Sequence, residues 1–117
     1  MVKKLLLFFF LVSLSSTVFS QKTEKKVVND SLMIVKNIVA SPNPFSVTTK
    51  IKFEAKAVFE IEFSVKDLIG NVVHYKKYNT HVGTNIIPFY KDKLDAGIYI
   101  YSIKTAIEII SKRIVVK

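Results

Sequence analysis

Apolar and polar residues trade places with a period of two along two stretches of this chain. In TKIKFEAK, residues 49–56, Ile51, Phe53 and Ala55 share one side while Lys50, Lys52, Glu54 and Lys56 share the other. In FEIEFSVK, residues 59–66, Phe59, Ile61, Phe63 and Val65 alternate with Glu60, Glu62, Ser64 and Lys66. Period two over this length predicts strands with one face on a core and one in water. Five further segments read the same way: MIVKNIV (33–39), VVHYKKY (72–78), NIIPFY (85–90), a strand opening at Ile98, and IISKRIVVK (109–117). Turn residues stand between them at Asp67–Asn71, at Gly83 and at Asp95–Gly97. Pro88 lacks an N–H, which places its strand at a sheet edge. No segment has a helical apolar stripe, and no connection is long enough for a crossover helix. The expectation is all-β: a seven-stranded antiparallel immunoglobulin-like β-sandwich.

One segment interrupts the pattern. SPNPF, residues 41–45, holds two of the chain's three prolines. Each disfavours helical geometry at the residue before it and brings no ladder donor, so the chain is expected to run extended along a sheet edge. Further on, LDAGIY (94–99) sets Tyr99 just inside a strand after a glycine turn. Immunoglobulin-like folds often keep there a corner tyrosine whose hydroxyl bonds back to the preceding loop. Tyrosine is also common in strands, and Tyr101 falls on the same side, so the residues alone leave the corner open.

The N-terminus reads differently from the rest. Lys3 and Lys4 precede a short apolar run, Leu5 to Leu14, and a polar stretch ending Val18-Phe19-Ser20. That is too short to span a bilayer and matches a secretory signal, residues 1–20; a core helix would leave the basic start and the polar end unexplained. Residues 21–37 form a polar lead and the start of the first strand, and residues 38–117 the domain. Fewer than twenty residues separate Ser20 from that domain, too few for a passenger domain.

Composition removes many chemistries. The chain has no cysteine, which excludes disulfides, a thiol nucleophile and a cysteine zinc site. The only histidines, His74 and His81, have no carboxylate cluster beside them in sequence. Asp92 and Asp95 flank a turn without the repeated oxygen ligands of a calcium loop. Glu60 and Glu62 read as solubilising charge on a wet face. Three glycines leave little material for a phosphate cradle. No enzyme, cofactor, metal or small-molecule substrate is expected. The formal charge is +9, or +7 once Lys3 and Lys4 are removed. The lysines are scattered along the strands rather than clustered, which suits solvated faces and guarded edges better than nucleic-acid binding.

In order and spacing, SPNPF, TKIKF, FSVKDLIGNVV, GTNIIPF, KLDAGIYIYSIK and SKRIVVK resemble the C-terminal sorting domain of the type IX secretion system, type A group. The resemblance runs from about Ile38 to Lys117. It implies an address recognised by the type IX translocon and its surface machinery, on a protein that passes through the periplasm and ends secreted or at the cell surface. Its marked positions fall here on Pro42, Asn43, Pro44 and Phe45, on Asp67 and Gly70, on Gly83 and Asn85, on Leu94, Gly97 and Tyr99, and on Lys112 and Lys117. The last hairpin, KTAIEIISK, departs from the family's usual glycine or asparagine turn, which leaves its register open. Three readings follow: a small secreted protein that is its own cargo, a free-standing surface binding or structural module, and a remnant of a longer protein.

Export is expected to remove residues 1–20 and leave Gln21 at the N-terminus. Intact mass of the exported protein checks this, and a product that retains Lys3 and Lys4 contradicts it.

Overall fold

Period-two segments can bury their apolar sides only by pairing into sheets and stacking, and the chain does so with every strand antiparallel to its neighbours. The computed structural model describes residues 32–117, so the expected signal (1–20) and most of the expected lead lie outside the described residues. The strands are β1 (Val35–Ser41), β2 (Thr48–Ala55), β3 (Glu60–Asp67), β4 (Val72–Asn79), β5 (Gly83–Tyr90), β6 (Gly97–Lys104) and β7 (Ile109–Val116). They form a three-stranded sheet in the order β1-β2-β5 and a four-stranded sheet in the order β4-β3-β6-β7. β5 is an outer strand, where Pro88 can lack its donor without breaking an inner ladder.

The apolar sides meet in one core. Ile51, Phe53, Ile87 and Phe89 from the three-stranded sheet pack with Phe63, Val65, Tyr101 and Ile103 from the other. Phe63 and Phe89 touch edge-on, ring centres 6.2 Å apart. Each such side chain contributes about 1.5–3 kcal/mol when fully buried. The outward rows of the four-stranded sheet are graded. Near one end Glu62 stands between Lys77 and Lys104, and in the middle Ser64 stands between Tyr75 and Ser102. The Ser102 and Ser111 hydroxyls are 2.7 Å apart.

Three local features depart from the simple pattern. β1 carries an extra residue, since Lys36 lies opposite Glu54 and Val39 opposite Lys52. Asn37 absorbs it at a φ of 55°, a geometry asparagine tolerates, and its amide donates to Glu54 Oε2 at 2.8 Å. The β6–β7 turn manages without glycine because the Thr105 hydroxyl accepts from the Ile107 and Glu108 N–H groups at 3.2 and 3.1 Å. That sets the register left open by the sequence, with Lys104 opposite Ile109. Lys76 and Lys77 lie on opposite sides of β4. Lys77 lies opposite Glu62, whereas Lys76 lies opposite the buried Phe63 and holds its ammonium 5.1 Å from the Tyr78 ring centre at the open edge.

The Tyr99 hydroxyl donates to the Asp95 carbonyl at 2.7 Å, across the turn that starts β6. Tyr101 is more deeply buried but bonds no other described residue through its hydroxyl. Tyr99→Phe is therefore expected to cost about 1–3 kcal/mol, because it leaves a half-buried carbonyl unpaired, and Tyr101→Phe less. Urea melts of the two variants check the order.

Candidate functional site

The SPNPF segment does not run along the edge of its own sheet. After Ser41 the chain bends away at residues 42–44 and crosses to β7, the outer strand of the other sheet. There the Asn43 side chain acts as a spare peptide group. Its Oδ1 accepts from the Val115 N–H at 2.9 Å and its Nδ2 donates to the Arg113 carbonyl at 3.2 Å. Phe45 continues the ladder with its backbone, its N–H donating to the Val115 carbonyl at 3.0 Å while its carbonyl accepts from the Lys117 N–H at 2.8 Å. The Phe45 ring, 1% exposed, packs edge-on against Phe89 with centres 5.9 Å apart. Pro42 and Pro44 bring no N–H into the crossing, and the Pro42 carbonyl accepts from the buried Thr49 hydroxyl at 2.7 Å.

Asp67 organises the β3–β4 turn. Its Oδ1 accepts from the Ile69 and Asn71 N–H groups at 3.0 and 2.8 Å, and its Oδ2 from the Asn71 amide at 3.1 Å. Gly70, at a φ of 101°, supplies the left-handed step. The hydrogen bond from the Asn71 backbone leads the causes that hold the Asp67 carboxyl below the ordinary aspartate value. Its support for the turn is thus complete above that value and is lost as pH falls through the lower folded one.

Gly83 and Asn85 act together in the β4–β5 turn. The Asn85 side chain accepts from the His81 N–H at 3.0 Å and donates to the His81 and Gly83 carbonyls at 2.9 and 3.1 Å, while Gly83 takes a φ of 103°. Leu94 packs half-buried on the core after the Lys91 turn, and Gly97 lies opposite Val116. Lys112 lies opposite the buried Tyr101, so it starts from the inner side of β7, and its Nζ donates to the Ile38 carbonyl at 2.6 Å. The Lys117 carbonyl accepts from Lys91 Nζ at 2.9 Å.

Strand direction gathers most of these positions at one end of the molecule. The 42–47 crossing, the Asp67–Asn71 turn, the β5–β6 connection and the last residues of β7 meet there, joined by the Phe45–Val116 and Gly97–Val116 pairings and by a 2.9 Å bond from the Lys91 N–H to the Val47 carbonyl. Gly83 and Asn85 sit at the opposite end, and Lys112 lies between. The sequence reading missed Thr49, Thr105 and Asn37, whose roles are side-chain bonds to backbone. Only the inward position of Thr49 in the period-two pattern marks it out.

The two histidines occupy separate parts of the fold. His74 lies opposite Val65 and wedges between Phe63 and Phe89, with ring centres 5.7 and 5.5 Å away. Burial lowers its pKa, with Lys76 adding to the effect and Asp92 opposing it. A shallow cavity of about 490 Å³ beside it is lined by Val73, Tyr90 and Lys91–Leu94. His81 turns instead to the Thr84 carbonyl, 2.9 Å away at the other end. Among the described residues no group of three or more His, Asp or Glu could hold a metal, and no helix is long and apolar enough to cross a membrane.

Asn43→Ala is expected to remove two bonds on exposed strand groups and to cost about 1–2 kcal/mol. Faster exchange of the Val115 amide, with the Phe63 region unchanged, distinguishes loss of this local ladder from general unfolding.

Residues 40–117 match the family described as the secretion system C-terminal sorting domain, from the last residues of β1 through β7. No curated protein matches the chain. The matched span takes in the crossing, the β7 ladder that closes on it and both bonded turns: the chain belongs to the secretion-system C-terminal sorting-domain family.

Proposed function

We propose that residues 38–117 form an immunoglobulin-like β-sandwich whose role is an address, read by the type IX translocon for passage across the outer membrane. The observation that carries this is the family match over residues 40–117, which runs from the end of β1 through β7. The two sheet orders and the bond from Tyr99 to Asp95 support the immunoglobulin-like assignment. In this reading residues 1–20 are the signal that delivers the chain to the periplasm, and the protein ends secreted or at the cell surface. The domain works by recognition and carries out no catalysis. Pro42, Asn43, Pro44 and Phe45, with Asp67, Gly70, Gly83, Asn85, Leu94, Gly97, Tyr99, Lys112 and Lys117, serve by fixing the shape that is read.

A fluorescent passenger inserted between Gln21 and Lys22 of the full chain tests the address. It is expected to reach the surface of a host with the type IX translocon and to stay in the periplasm of a mutant without it. Equal delivery in both hosts, or retention in both, rejects the sorting role and leaves a free-standing surface module as the better reading.

A further inference from the structure

The turn that Asp67 holds presents two large apolar side chains to water. Leu68 is 68% and Ile69 89% exposed. The Asp67 carboxylate, accepting from the Ile69 and Asn71 N–H groups, holds the backbone in the arrangement that exposes them. The turn is continued by apolar residues on the outer face of the four-stranded sheet. Val72 lies opposite Lys66, Lys66 opposite Ile100, and Ile100 opposite Arg113; one row nearer the end, Ile98 lies opposite Val115. Val72 and Ile98 are exposed as well.

Charge on the same face is separated. Its glutamates, Glu60 and Glu62, lie toward the far end and are paired with Lys77 and Lys104 at 3.8 Å. Lys66 and Arg113, beside the apolar end, pair with no carboxylate among the described residues. Asp67, next to Lys66 in sequence, has its carboxylate oxygens turned to the turn's own N–H groups. An apolar patch flanked by two uncompensated cations is complementary to an apolar protein surface bordered by carboxylates. The turn projects along the strands while Val72 and Ile98 face outward from the sheet. A flat lipid surface cannot cover both at once, whereas a groove in a protein can.

We infer that this patch, Leu68 and Ile69 with Val72, Ile98, Lys66 and Arg113, is the surface through which the domain docks on a carboxylate-bordered apolar groove of the export machinery. This rests on the sorting role proposed above and specifies where on the domain the reading occurs.

The passenger-bearing full chain tests it with a paired substitution, Leu68→Ser with Ile69→Ser. Because both residues are exposed, the urea midpoint should stay within error of the unaltered chain while surface delivery falls at least tenfold. Lys66→Glu with Arg113→Glu should lower delivery as well. Val82→Ser, at a residue 67% exposed in the opposite turn, should leave delivery unchanged. If the unaltered chain shows translocon-dependent delivery and the Leu68/Ile69 variant is delivered as well, the docking patch is wrong and the sorting role stands. An equal fall for Val82→Ser overturns the patch too, since any lost apolar residue would then suffice. Loss of binding to phosphatidylglycerol–phosphatidylcholine vesicles with delivery intact would mark a lipid contact and overturn the protein partner. Delivery that never depends on the translocon removes the sorting role, and this inference with it.

Discussion

The joining of the two sheets at the landmark end depends on one borrowed ladder. An outer strand leaves a row of N–H and C=O groups without partners, and such a row invites pairing with another chain. Here the row on β7 is met by residues some seventy positions earlier, first by the Asn43 amide and then by the Phe45 backbone. The same crossing carries the Phe45 ring into the core against Phe89, so closing an edge and joining the two sheets are a single event. Lys112, reaching from β7 to the Ile38 carbonyl on β1, fastens the two outer strands of that side again. Among the described residues the opposite side, between β4 and β5, has no equivalent strap. It is held by the aromatic contacts of His74 and by the turn that joins the two strands.

Much of this was legible in the residues. The alternation in β2 and β3 gave their inward sides directly, because a strand's side-chain period leaves only two choices and the charges occupy one of them. Pro88 marked an outer strand for a reason that does not depend on context: it has no donor to give. Tyr99 could be named as a corner but not chosen over a common strand tyrosine until its hydroxyl was seen on Asp95.

What could not be read concerns side chains that stand in for backbone. Nothing about an asparagine between two prolines announces which strand its amide will complete, since the partner is remote in sequence and contributes only main-chain groups. Thr105 hides a turn for a similar reason, its hydroxyl supplying the closure expected of glycine or asparagine. Lys76 misleads because at an open edge even an inward position is reached by water, so charge no longer reports the side of the strand. The landmark positions could be named from the residues, while the gathering of most of them at one end came from strand direction and pairing order.

The distance along the chain between Asn43 and Arg113 also sets an order of events. Contacts between remote segments form late, because closing a long loop costs entropy before any bond repays it. The SPNPF segment leaves the first strand early in synthesis, yet its partner groups do not exist until residues 113–117 have been added. A chain interrupted before that point has the prolines, the Asp67 turn and most of the core, but nothing for Asn43 and Phe45 to pair with. The folded shape therefore reports that synthesis has run through β7, and a receptor selective for that shape would distinguish chains that carry β7 from chains interrupted before it without reading their length.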